Sequence, residues 1–317
     1  MNIAYPTNDE LKSLEDSAVA FAIGAKDLLQ KNLGNTNVKY KGDGFSNPVT
    51  NVDLEIEKYL REEILKKFPG HAVIGEEYKN DASEYSDFIW VIDPIDGTSN
   101  FVAGLSIYSI SIGLFYQGEP VVGVMFSPFD NTGEGIYHSR RGGGSFLAGN
   151  KLEVMNITEP ISSNLIGLPL GYKGIRLFGN RTYGVGNVRI TGSISVEMLL
   201  VARGVFQHSF FSHPKIWDVA AGIIIVREAG GEILRFKNGE WNPLGNFMDN
   251  LLEKPGEGYL EGLRNWSYPL LVGNAGLLEH ITTKGHDPNI SLKSGIVKMK
   301  KLLGKFIKFN PCFPPEL

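Results

Sequence analysis

Leu11, Leu14, Ala18, Phe21, Ala25 and Leu28 recur three or four positions apart, so one apolar face predicts a helix within residues 8–33. Residues 53–68 repeat the pattern with Leu54, Ile56, Tyr59, Leu60 and Ile64. After Pro69-Gly70 the rhythm shortens: residues 71–74, 88–92, 108–115, 121–126 and 136–139 are brief apolar runs divided by Gly, Pro, Asn and Asp, the pattern of a mainly antiparallel sheet. From residue 192, helical segments at 194–203 and 217–228 alternate with strand-like ones at 206–211, 232–236 and 270–272. The order predicts α+β or α/β lobes, one over residues 1–160 and one over 161–287, with the boundary between 155 and 185.

Residues 288–317 stand apart. Leu292, Ile296, Met299, Leu303 and Phe306 form one stripe, and Lys293, Lys298, Lys300, Lys301, Lys305 and Lys308 gather opposite it. Such a basic amphipathic helix could lie weakly on an anionic membrane surface, but docking on the body or across a subunit interface with its lysines in water is the preferred expectation. No fixed-period repeat or low-complexity tract interrupts the chain.

Composition narrows the class without naming it. The 317 residues are 42% hydrophobic and 21% charged with a formal charge of −4, an ordinary globular balance with no demand for a nucleic-acid partner. The one cysteine, Cys312, excludes an internal disulfide framework and a multi-thiolate metal site. No stretch has the length and apolarity of a membrane span, and MNIAYPTNDELKSLED lacks a signal peptide's basic start, so the expected location is cytoplasmic.

Candidate chemistry concentrates in VIDPIDGTSNF, residues 91–101, where a buried strand runs into a turn carrying Asp93 and Asp96 before a short helix at Thr98. Carboxylates this close repel unless a cation neutralises them, and carboxylate and carbonyl oxygens suit Mg²⁺. Glu76 and Glu77 in VIGEEY, after another strand, and Asp218 in KIWDVAAG, at a helix start, could add oxygens to the same cleft. Taken singly, Asp218 reads as a helix cap, Glu76-Glu77 as a solvated pair, and Asp-Pro and Asp-Gly as turn chemistry.

Taken together, GEE at 75–77, DPIDGTSNF at 93–101 and WDVAAG at 217–222 resemble the signature segments of the inositol monophosphatase family of Mg²⁺-dependent phosphatases. NPVTNVD at 47–53, GSISVEMLLVARG at 192–204 and EAGGEI at 228–233 extend the likeness, in order, from about residue 10 to 283. The resemblance implies a layered αβαβα sandwich of the inositol monophosphatase and fructose-1,6-bisphosphatase type and a homodimer. It also implies two Mg²⁺ ions, with a third allowed, and hydrolysis of a small phosphorylated metabolite by an activated water. By similarity, Glu76, Asp93 and the Ile95 carbonyl hold one ion, and Asp93, Asp96 and Asp218 the second. Asp53, Thr98 and Glu76 match residues that orient or deprotonate the water. Gly97, Thr98, Gly192, Ser193, Ile194 and Asp218 match substrate-contacting positions. Substrate alternatives on this fold are fructose 1,6-bisphosphate, histidinol phosphate and 3′-phosphoadenosine 5′-phosphate, beside a silent regulatory relative that binds RNA polymerase.

Departures bear on the substrate. Phe211 stands where typical members carry a hydroxyl-binding glutamate, and residues 167–189 are glycine-rich where a helix is expected. Arg181 or Arg189 is a candidate for a second anionic group, and Lys41 for the family's mobile-loop lysine, each against the plainer role of a surface cation. RRGGGSF at 140–146 lacks the Lys and Ser or Thr of a phosphate-binding P-loop and predicts a turn between strands. The two-residue gap between Asp93 and Asp96 excludes the DxD of haloacid-dehalogenase phosphatases, and no EF-hand pattern is present.

Overall fold

The computed structural model describes residues 5–33, 37–40, 48–78, 86–129, 135–169, 186–247 and 258–284; Lys41, Arg181, Cys312 and the tail 288–317 lie outside them. The first part of the chain forms α1 (Asn8–Lys31), β1 (Val38–Tyr40), β2 (Pro48–Thr50), α2 (Asn51–Lys67), β3 (Ala72–Gly75), β4 (Phe88–Asp96) and α3 (Thr98–Val102). It continues through β5 (Ser109–Tyr116), β6 (Glu119–Phe126), β7 (Ile136–Arg140), β8 (Gly144–Leu147) and β9 (Asn150–Lys151). The remainder supplies β10 (Leu165–Gly167), β11 (Asn187–Arg189), α4 (Ile194–Ala202), β12 (Phe206–Phe211) and α5 (Ile216–Glu228). Last come β13 (Glu232–Lys237), β14 (Glu240–Pro243), α6 (Tyr259–Arg264), β15 (Leu270–Gly273) and α7 (Ala275–Lys284).

Two sheets carry the fold. One runs β3-β4-β5-β6-β7-β8-β9, antiparallel except between β3 and β4. The other runs β11-β10-β12-β15-β13-β14, parallel where β10 meets β11 and β12 and antiparallel elsewhere. Side chains alternate across each strand, so each sheet feeds two cores. From β4, Trp90 and Ile92 enter the core beneath α1 and α2, whereas Ile89 and Val91 enter the one around α4 and α5. From β15, Leu270 and Val272 join that central core, and Leu271 packs with α7 residues Leu277, Leu278 and Ile281. Helices, sheet, helices, sheet and helix thus stack as the expected αβαβα layers.

Local chemistry starts these helices where they are needed. Thr7 caps α1, accepting from the Glu10 amide while the Glu10 carboxylate takes the Thr7 amide at 2.7 Å. Thr50 and Asp53 do the same for α2. Helix α5 lies unusually close to the first sheet: a Cβ on Gly113 would sit 2.7 Å from Ala220 Cβ, and one on Gly123 2.4 Å from the Ala221 carbonyl. This approach brings the first turn of α5 beside β4 and β5, where Ser111 Oγ donates to the Trp217 carbonyl at 3.4 Å.

One expectation needs correction. The strand expected to stop at Ile92 continues to Asp96, and its register against β5 shifts between Asp93 and Asp96. Pro94 has no amide to give the ladder, and an irregularity absorbs it without ending the strand. The glycine-rich 140–146 segment is the expected turn between β7 and β8; its Gly142 and Gly144 amides are taken by the Glu228 carboxylate at 2.8 and 2.9 Å. No helix among the described residues is long and apolar enough to cross a membrane.

Candidate active site

The end of β4 is the centre of the site. Asp93 is 1% exposed, and its Oδ1 accepts the Ile95 amide at 3.1 Å, a local bond within the irregular end of the strand. Gly97 then adopts φ +93°, and a Cβ there would lie 2.9 Å from the Ile107 carbonyl. That left-handed residue starts α3, whose first side chain, Thr98 Oγ1, lies 2.9 Å from the Ile95 carbonyl and 3.3 Å from Asp53 Oδ1.

Three other helices and one loop close around this turn. Asp53, third residue of α2, accepts the Thr50 amide and hydroxyl on Oδ2. From the start of α4, Ser193 Oγ (2.8 Å) and the Ser195 amide both donate to Asp96 Oδ2. At the start of α5, Asp218 Oδ2 accepts the Lys215 amide at 2.7 Å. Asn100 ties the turn to the α4 approach by donating to the Ile107 carbonyl at 2.7 Å and the Thr191 carbonyl at 2.8 Å. Glu76 follows β3.

These elements surround an open pocket of about 200 Å³. Glu76, Asp93, Asp96 and Asp218 line it together with Ile95, Gly97, Thr98 and Gly192; Pro48 and Ser99, not singled out from sequence, line it too. Among the described residues no Lys or Arg side chain hydrogen-bonds to Asp93, Asp96 or Asp218, and no three acids, histidines or cysteines stand close enough together to hold a metal ion by themselves, so water and substrate oxygens would have to complete any ion's shell. The acids form an open rim.

Electrostatics records the crowding. Burial, followed by repulsion from Glu76, Asp96, Asp218 and Asp53, holds the Asp93 carboxyl well above its usual range. Burial, followed by the Asp96 charge, does the same to Asp218. Asp96 is pushed up to about 6, burial outweighing its bonds from Ser195 and Ser193. Burial also raises Asp53, against the bonds from Thr50. Buried hard oxygen donors that resist ionising for want of a counter-charge fit a divalent ion such as Mg²⁺, which keeps water ligands and tolerates an open rim.

The structure therefore gathers Asp53, Glu76, Asp93, Ile95, Asp96, Gly97, Thr98, Gly192 and Asp218. It does not bring Ser193, Ile194 or Phe211 to the pocket wall. Ser193 is 3% exposed and spends its hydroxyl on Asp96, so it supports a pocket acid where substrate contact was expected. Ile194 opens α4 and packs against the central core. Phe211 is 3% exposed within the same core, so its ring is a packing element, and it does not line the pocket. Arg189 lies exposed on β11, its guanidinium donating to the Val188 carbonyl. Asn100 and Ser195 were missed as site residues; Asn100 sat inside the motif, whereas the bond from the Ser195 amide has no signal in side-chain identity.

Known proteins resemble this chain in sequence and in fold. The family model described as "Inositol monophosphatase family" matches residues 10–256. A fructose-1,6-bisphosphatase/inositol-1-monophosphatase of Aquifex aeolicus is 32% identical over 70% of this chain and 86% of its own length. A Nus factor SuhB of Pasteurella multocida is 33% identical over 70% of this chain and 81% of its own. Among solved structures, the Thermotoga maritima IMPase superposes with a TM-score of 0.66 at 25% identity, covering 90% of this chain and 98% of that one. The chain belongs to the inositol monophosphatase family.

Proposed function

We propose that the pocket hydrolyses a small phosphate monoester, an inositol monophosphate or a related sugar or polyol phosphate, in the presence of Mg²⁺. The observation that carries this reading is the convergence of Glu76, Asp93, Asp96 and Asp218 on one small pocket beside the Thr98–Asp53 pair. Glu76, Asp93, the Ile95 carbonyl, Asp96 and Asp218 would hold two ions, with Asp93 shared. Bound there, Mg²⁺ supplies Lewis acidity and the positive charge that crowded carboxylates and a phosphoryl group both require.

The chain's own groups account for the rest. The Thr98 hydroxyl is within reach of the Ile95 carbonyl and Asp53, so its proton has a place to go and its lone pairs remain for a water in the pocket. Asp53, buried and reluctant to ionise, is the group that takes the water's proton through Thr98. Glu76, which lines the same pocket, orients the same water. The Gly97 and Thr98 amides at the start of α3 offer donors to phosphoryl oxygens. Direct attack by water, in line with the leaving oxygen, needs positioning and charge and no protein nucleophile.

The test is phosphate release from a panel of sugar, polyol and nucleotide monoesters with Mg²⁺ titrated. Wild type should turn over at least one sugar or polyol phosphate. Asp96→Asn, which keeps the shape and removes the charge, should lower the rate about 100-fold or more, at tenfold per 1.36 kcal/mol of barrier. A wild type inert on the whole panel, or a mutant of equal rate, overturns the proposal.

A further inference from the structure

The Glu76 segment has no regular structure of its own to hold it, and two sets of side chains grip its backbone. From α2, the Glu57 carboxylate accepts the Glu77 amide at 2.7 Å and the Tyr78 amide at 3.1 Å. Glu57 is fully buried and is steadied by Arg61 Nε at 2.9 Å; the same guanidinium donates to the carbonyls of Val73 (3.3 Å) and Tyr78 (3.2 Å). The other grip is Arg264, whose Nη1 donates to the carbonyls of Gly75 and Tyr78, and Nη2 to that of Glu76 at 2.9 Å.

Arg264 also lies over the Trp217 ring, 5.3 Å from its centroid, and Trp217 immediately precedes Asp218. One guanidinium thus touches the backbone that carries Glu76 and the residue that precedes Asp218. It comes from α6, which begins at Tyr259, beyond the stretch that matches the family model. Tyr259, Leu260 and Leu263 of α6 and the following Trp266 are buried in the central core, so the guanidinium is placed by packing from within the fold.

We infer that Arg264 is a positioning residue that locks the Glu76 loop to the first turn of α5 and thereby sets the affinity of the site for its divalent ion. The inference rests on the phosphatase reading above. Its physical basis is the planar fork of the guanidinium, which can serve three carbonyls and an aromatic face at once. An ammonium keeps the charge but not that geometry. Groups that orient metal ligands from behind typically account for 10- to 100-fold in metal affinity.

The experiment is calorimetric titration of Mg²⁺ alone into the full chain as wild type, Arg264→Lys, Arg264→Gln and Asp93→Asn, with thermal unfolding of each in the absence of metal. Both Arg264 variants should fold and bind Mg²⁺ about 10-fold or more weakly. The Mg²⁺ concentration for half-maximal phosphate release should shift in parallel, and saturating Mg²⁺ should recover the greater part of the rate. Mg²⁺ binding by a folded Arg264→Lys as tight as wild type overturns the inference, and so does loss of the fold in both variants, which would make the role purely structural. Asp93→Asn separates the two readings: if it binds Mg²⁺ like wild type, the metal site itself is wrong, whereas if it alone loses binding, only the role of Arg264 fails.

Discussion

Asp53 Oδ2 closes the first turn of α2 while its Oδ1 meets the Thr98 hydroxyl. Asp218 Oδ2 closes the first turn of α5, and Asp96 Oδ2 takes two donors from α4. In each case one oxygen is bound to the surrounding elements, while for Asp96 and Asp218 the residue also lines the pocket and for Asp53 the other oxygen meets Thr98, so structural anchoring and site chemistry share one carboxylate. This is why a lone aspartate near a helix start is ambiguous in a sequence while the set is not. Thr98 is the residue whose loss separates proton handling from ion binding. Thr98→Ala should lower kcat about 100- to 10,000-fold, the usual range for a positioned acid or base, with Mg²⁺ affinity retained and Thr98→Ser largely active. Undiminished turnover by Thr98→Ala would remove the Thr98–Asp53 relay. Sequence comparison named these acids because each stands in a distinctive motif. It could place Phe211 at the family's glutamate position but not say which core the ring enters, because alignment gives a position and the fold decides the packing.

The elements that hold the acids share an electrostatic cost. Asp53, Asp93, Asp96 and Asp218 all titrate above the ordinary aspartate value near 3.9, Asp96 at about 6, with burial the first cause for each. A carboxyl whose pKa is raised by folding contributes stability below its unfolded pKa and loses it as pH climbs through the folded value. The metal-free protein should therefore lose this contribution from about pH 4 upward, through 6 and beyond. Mg²⁺ reverses the penalty only where the acids are ionised. The rise in Tm on adding Mg²⁺ should be small at pH 5 and larger at pH 7.5; an equal rise at both would contradict the shared burden. Among the elements, α1, α2, α4, α5 and the long strands were legible because their apolar periods run for many residues. The short β1, β2, β9, β10, β11 and β14 and the six-residue α6 were not, since two to six residues carry too little period and owe their conformation to neighbours. The bend at Asp93 to Asp96 is likewise tertiary: it depends on β5 alongside and on α4 meeting Asp96.

At the scale of the whole molecule, a helix pair sandwiched between two sheets solves a geometric problem. Acids 142 positions apart in sequence, Glu76 and Asp218, must meet in a pocket of about 200 Å³. The close seating of α5 on Gly113 and Gly123 and the bond from α4 to Asp96 bring the second half of the chain onto the strand ends of the first. Family likeness made the layered architecture legible, but not the grip of Arg264, because α6 lies beyond the matched stretch. The most direct test of the convergence is anomalous scattering from a crystal soaked in Mn²⁺ as a stand-in for Mg²⁺. Two peaks inside the pocket are predicted, both against Asp93, one also against Glu76 and the Ile95 carbonyl and the other against Asp96 and Asp218. An empty pocket at saturating Mn²⁺, or peaks confined to other surfaces, would contradict the account.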